Sequence, residues 1–183
     1  MNSTKKVSFW EFFQGLGKTF MLPVALLGIS GTLLGVGSAF TSNELLTQFP
    51  VLANPILQYF FNFITLLGAF TFSNLPVLFA MAIPLGLARE EKGVAAFSGF
   101  VGYAIMNMSI NFYLTATHQL FEPAVMKAHG QAMIMGVQTI NTGVLGGIIA
   151  GIIVYLLHNK FWEIKLPDSF AFFGGPRFIP IIS

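Results

Sequence analysis

The chain has 183 residues, of which 55% are hydrophobic, with a mean hydropathy of +0.75 and 21 phenylalanines. Only 9% are charged, against roughly 25% in ordinary soluble domains, so too few polar side chains exist to cover a water-soluble surface. The net charge of +2 gives no footprint for nucleic acid, and the absence of cysteine excludes disulfides and thiolate metal sites. Long uncharged runs in such a chain predict an all-α, polytopic membrane protein of four to five spans.

Residues 1–18 predict an amphipathic interfacial helix. Ser8 and Glu11 form a capping box, Val7 and Phe12 a hydrophobic staple, and Phe9, Phe12, Phe13 and Leu16 recur at helical spacing, with Trp10 at the water boundary. An ordinary lead-in to the first span is the alternative. Residues 19–40 form that span, with Pro23 near its start and a Gly31-xxx-Gly35 face suited to close helix packing. No cleavable signal peptide is evident, and lysines before this span with Glu44 after it place the amino terminus in the cytoplasm.

The stretch 55–88 is uncharged and, as one helix, would run about 50 Å, beyond a hydrocarbon core of roughly 30 Å. Ser73-Asn74-Leu75-Pro76 interrupts it, so it is either one tilted, kinked helix or a span followed by a shorter or re-entrant piece. Asn62, Thr65 and Asn74 are candidates for helix-to-helix hydrogen bonds. Arg89-Glu90-Glu91-Lys92-Gly93 then breaks a run uncharged from Leu45 to Ala88. Four charges must lie in water, so this is a cytoplasmic turn. Its adjacent glutamates diverge and predict no acid–base pair.

Residues 93–117 predict the next span, followed by an outside loop containing His118 and His129, which lack metal-ligand spacing. Residues 139–158 predict a further span with Gly143, Gly146, Gly147 and Gly151 on it, closed by His158, Lys160 and Lys165 on the inside. Residues 166–183 read as a turn-rich cytoplasmic loop entering another apolar segment, which suggests that the sequence belongs to a longer chain. No catalytic residue, metal ligand or cofactor motif is found: there is no phosphate-binding glycine loop, nucleophile elbow or His-x-x-x-His pair. A non-catalytic membrane scaffold or oligomerising remnant, and a secondary carrier, remain competing classes.

Three stretches carry a resemblance. Phe9-Trp10-Glu11-Phe12-Phe13-Gln14 runs on through Leu16-Gly17-Lys18-Thr19-Phe20-Met21-Leu22-Pro23. Leu75-Pro76-Val77-Leu78-Phe79 precedes Ile83-Pro84-Leu85-Gly86-Leu87-Ala88-Arg89-Glu90 and Lys92-Gly93-Val94-Ala95-Ala96. Leu166-Pro167-Asp168 precedes Phe172-Phe173-Gly174-Gly175 and Arg177-Phe178. Together they resemble the membrane IIC component of bacterial sugar phosphotransferase systems, in the maltose/glucose branch of the glucose superfamily.

The resemblance implies the N-terminal half of a IIC fold in a homodimeric protein of the bacterial inner membrane. Surrounded by membrane lipid, this half would supply scaffold and dimerisation helices. IIA and IIB phosphocarrier domains are the implied partners, passing phosphate to a sugar as it is imported: maltose, glucose or a related α-glucoside. The family's sugar-contacting histidine, and its glutamate in a Gly-x-Thr-Glu-Pro loop, lie beyond this chain, and His118, His129 and His158 do not stand in that context. The substrate-binding residues are therefore unknown, and this portion is not expected to act as an enzyme alone. Arg177, in the loop that would face IIB, is the one candidate contact residue, with a positive-inside anchor as its alternative role.

Overall fold

The protein is described by a computed structural model covering residues 9–183, so the capping box at Ser8 and the Val7 staple lie outside the described residues. In chain order the elements are α1 (Phe9–Phe40), α2 (Asn43–Gln48), α3 (Pro55–Ser73), α4 (Leu75–Leu87), α5 (Lys92–Ala116), strands β1 (Gln131–Ile134) and β2 (Val137–Ile140), α6 (Gly143–Phe161) and α7 (Ile179–Ile182). Among the described residues, α1, α3, α5 and α6 are long and apolar enough to cross a membrane. The expected all-α, multi-pass architecture holds.

Several local expectations change. Residues 9–40 are one helix, without the expected division at residue 18. Pro23 is therefore interior rather than near the helix start, and it has no N–H to give to the Thr19 carbonyl. The 55–88 stretch is two helices parted at Asn74, whose N–H and side-chain amide both donate to the Phe70 carbonyl, at 3.0 and 2.8 Å. Pro76 follows in the first turn of α4, where a missing donor is harmless. Residues 139–140 belong to β2, so the last long helix starts at Gly143 rather than Thr139. The Asn141 side chain accepts from the Gly143 N–H at 3.2 Å, and Gly143 itself has φ +56°.

The described residues form two compact units, Met21–Leu75 and a second built from residues 9–20 with Pro76–Ser183. In the first, α3 lies against the later part of α1 through two glycines. A Cβ on Gly37 would strike Thr65 and the Phe61 carbonyl, and one on Gly68 would strike the backbone at Ser30 and Leu34. The predicted pair fares differently: Gly31 meets only the Phe72 ring, at 3.8 Å, and Gly35 has no neighbour within 4 Å. Asn62, Thr65 and Asn74 each bond the carbonyl four residues back on their own helix, so none is a helix-to-helix donor. That role falls to Ser30 and Thr71, whose hydroxyls are 2.6 Å apart and buried. Thr71→Ala is expected to lower stability by about 1 kcal/mol, a typical value for such bonds between membrane helices. The thermal midpoint in detergent checks this; an unchanged midpoint would contradict it.

The second unit is packed around α4. Its 13 residues would extend about 20 Å, and Phe79, Ala80, Ala82, Ile83 and Pro84 are buried. Pro84 gives no N–H to the Ala80 carbonyl, and that carbonyl lies where Gly99 of α5 and Gly151 of α6 come closest. A Cβ on Gly99 would overlap the Ala80 oxygen, and one on Gly151 would stand 3.2 Å from it. Gly147 lies equally tight against the Pro76 carbonyl. The small residues thus bring two long helices onto the backbone of a short one. The start of α1 joins the same unit: Phe20 meets Phe79 edge-on at 5.0 Å, and Gly86 faces Thr19.

Between α5 and α6 the strands form an antiparallel hairpin with Ile134 opposite Val137. Met135 and Gly136 make its two-residue turn with φ of +52° and +81°, the left-handed pair such a turn requires. Ile134 packs against Ala80, Tyr103 and Ala150, so the tip reaches about 20 Å back along α5 from the helix end. Asn111 fixes it there, donating to the Gln138 carbonyl at 2.7 Å.

Candidate functional site

The residues singled out for function gather at the C-terminal end of α6. The α5 and α6 helices are antiparallel, so the α4–α5 turn, residues 88–91, arrives beside that end. Gly15 lies against Leu87, which brings the start of α1 there too. His158 is fully buried in the last turn of α6, and its Nε2 donates to the Glu90 carbonyl at 2.8 Å. Because a carbonyl only accepts, this bond assigns the proton to Nε2. Nδ1 is buried without a partner. Such a loss of hydration costs about 1–3 kcal/mol. Asn159 accepts the Arg89 N–H on its Oδ1 at 3.2 Å. Glu91 ends the turn at φ +48° and ψ +45°, a left-handed conformation that costs a non-glycine residue about 1–2 kcal/mol.

Arg177 lies on the segment that folds back onto the same helix end. The Gly175 N–H donates to the Ile164 carbonyl at 2.8 Å, and Phe178 meets Phe161 edge-on. Arg177 is exposed, donates from Nη1 to the Phe172 carbonyl at 3.3 Å, and holds its guanidinium 4.9 Å from the Phe172 ring centre. One hydrogen bond uses one of five N–H donors, so the group stays available to an oxyanion. Alongside, Leu166, Phe170, Phe173, Phe178 and Ile181 line an apolar groove of about 430 Å³. This end of the unit carries five basic residues (Arg89, Lys92, Lys160, Lys165, Arg177) and four acidic ones (Glu90, Glu91, Glu163, Asp168).

The opposite end is built from amides. Gln131 is buried; its Oε1 accepts from the Phe121 N–H and from Gln138 Nε2, and its Nε2 donates to the Gln119 carbonyl. Gln138 Nε2 also donates to the Phe121 carbonyl. His129 stacks flat on Phe121 at 3.8 Å, while His118 sits apart at φ +54°. Among the described residues no three His, Cys, Asp or Glu side chains come close enough to hold a metal ion. Sequence reasoning read His158 and Asn159 merely as the end of a span. The signal was His158 and Asn159 beside Lys160, polar residues confined to the last turn of an otherwise apolar helix, at the same end as the charged turn.

Residues 17–183 match the family profile described as phosphotransferase system, EIIC. Over 180 residues the chain is 58% identical to the PTS system maltose-specific EIICB component of Escherichia coli strain K12, a match covering 97% of this chain and 34% of that protein. Over 169 residues it is 40% identical to the PTS system glucose-specific EIICBA component of Staphylococcus saprophyticus, covering 92% of this chain and 24% of that protein. The chain thus spans about a third and a quarter of the lengths of these two relatives.

Proposed function

Because the chain belongs to the phosphotransferase system EIIC family, we propose that the protein containing it imports a sugar and phosphorylates it with phosphate derived from phosphoenolpyruvate. The carrying observation is the identity of 58% to the maltose-specific relative, against 40% to the glucose-specific one. It favours maltose or a related α-glucoside, with glucose as the alternative. Both relatives carry a B component in the same chain, which supports IIB, and behind it IIA, as the phosphate donors. Membrane vesicles with the native protein should phosphorylate maltose only when phosphoenolpyruvate and the soluble carriers are present. Entry of unmodified sugar without phosphoenolpyruvate would overturn this reading. A native species of only 20.0 kDa, detected through its amino-terminal peptide, would favour a non-catalytic remnant instead.

The protein resides in the bacterial inner membrane with its amino terminus inside. Supporting this, α1's start, the 88–91 turn and the basic end of α6 lie together, as the positive-inside rule requires. The present portion serves as scaffold and dimer surface. Tyr59, Phe63, Leu66 and Phe70 make an exposed apolar stripe along α3, suited to a second copy. Tyr59→Ala with Phe63→Ala is expected to halve the particle mass seen by light scattering in detergent; an unchanged mass would remove α3 from the interface.

Arg177 contacts IIB or its phosphoryl group as the domain approaches, which its free guanidinium edge supports. Arg177→Ala should slow phosphorylation of the sugar about ten-fold, while sugar binding stays unchanged. Correctly inserted protein with unaltered phosphorylation would leave Arg177 as a membrane anchor.

A further inference from the structure

We propose that the turn carrying Arg89, Glu90, Glu91 and Lys92 is a preformed contact surface for the B-component phosphocarrier, held in shape by His158 and Asn159. The proposal rests on the phosphotransferase reading above and names the partner of its exposed end.

Three observations carry it. A turn that merely stays hydrated needs no support, yet this one is gripped at two consecutive residues from across the fold. Its Arg89 N–H and Glu90 carbonyl are both bonded by side chains of α6, and one of those is a fully buried imidazole with an orphaned Nδ1. An apolar residue at 158 would fill the space without an orphaned Nδ1 but would take the donor from the Glu90 carbonyl, so the histidine serves the turn rather than simple packing. Next to the gripped residues Glu91 takes a left-handed backbone, while the nearest glycine, Gly93, lies two residues further on, inside α5. A conformation of this kind persists only where its surroundings over-determine it.

The chemistry of the turn selects a protein rather than lipid. All four charged side chains are exposed, and among the described residues none makes a hydrogen bond or ion pair. The two glutamates cancel the two basic groups, so an anionic membrane gains nothing from them. A protein face bearing both signs gains register and orientation from such a pattern. Arg177 and its segment pack onto the same end of α6, which extends the surface.

The test places the photo-reactive residue p-benzoylphenylalanine at position 91 of the full-length protein in native membranes and maps the adducts by mass spectrometry. The expected adduct joins position 91 to a peptide of the B component. His158→Ala should cut its yield about five-fold, since the turn is no longer pre-organised, and His158→Gln, which presents an amide N–H at similar reach, should restore most of it. If His158→Ala does not fold, Asn159→Ala removes the other hold and is expected to lower the yield in the same direction. Adducts confined to lipid, or a yield indifferent to both substitutions in folded protein, would overturn the proposal. Phosphorylation of sugar by the unmodified protein is read separately. An adduct without phosphorylation keeps the contact and refutes the functional reading; phosphorylation without the adduct does the reverse.

Discussion

Gly147→Val is expected to leave almost no folded protein. Adding side-chain volume to a core that can adjust costs typically 1–3 kcal/mol. Here the first atom met is the Pro76 carbonyl oxygen, part of the α4 backbone rather than a movable side chain. The α4 helix has little room to retreat, because Gly99 of α5 already lies against its Ala80 carbonyl. A loss of about 3 kcal/mol or more follows, a large share of the ~5–15 kcal/mol that holds a typical protein folded. Fluorescence-detected size exclusion should show the variant aggregated. Gly17→Ala and Gly28→Ala, where no atom lies within 4 Å of the added Cβ, should elute like the parent and melt at or slightly above its temperature. A monodisperse Gly147→Val with a parental midpoint would show that α4 is not clamped as described.

Gln131→Leu is expected to release the hairpin. The substitution keeps an apolar bulk similar to that of glutamine but removes the acceptor used by the Phe121 N–H and Gln138, and the donor used by the Gln119 carbonyl. Three bonds at about 1 kcal/mol each are lost, and the groups left behind are partly shielded from water. The order of 2–4 kcal/mol follows, enough to open the segment locally while α5 and α6 stay paired. Hydrogen exchange of the amides in residues 119–141 should accelerate at least about ten-fold, with α5 unaffected. Protection equal to the parent's would assign the hairpin's order to its apolar tip instead. Gln138→Leu removes two bonds, to the Phe121 carbonyl and to Gln131 Oε1, so it should have about two-thirds of the effect.

The spans were legible because charge is excluded from hydrocarbon: the uncharged runs delimit α5 and α6 to within a few residues and the end of α1, while its start, which carries Glu11 and Lys18, was missed by ten residues, and Asn74-Leu75-Pro76 marked where the long middle stretch divides into α3 and α4. Which small residues touch was not legible. Gly31 and Gly35 have the same spacing as Gly147 and Gly151, but spacing does not say whether a partner lies opposite, and only the second pair found one. The asparagines misled for a related reason. An amide in an apolar helix needs a partner, and the carbonyl four residues back is always within reach, so Asn62 and Asn74 turned to their own helix. The hairpin hid in a stretch read as a polar loop, although Met135-Gly136 between short alternating runs is the local signal of a two-residue turn. Of the candidate site, Arg177 and the charged turn stood out as isolated charges. The polar end of α6 signalled that His158 had some partner, but its grip on Glu90 joins residues 68 positions apart and could not be read locally.

The brevity of α4 also bears on how the protein is made. At about 20 Å it is too short to be recognised as a span when it leaves the ribosome. Its resting place is defined by Gly99, and then by Gly147 and Gly151, which are synthesised later. Until α6 has entered the bilayer, the Ala80 and Pro76 carbonyls face whatever the insertion machinery provides. Biogenesis therefore has a late commitment step, and variants that delay α6 should expose α4 to quality-control proteases in nascent chains, even where the finished protein would have been stable.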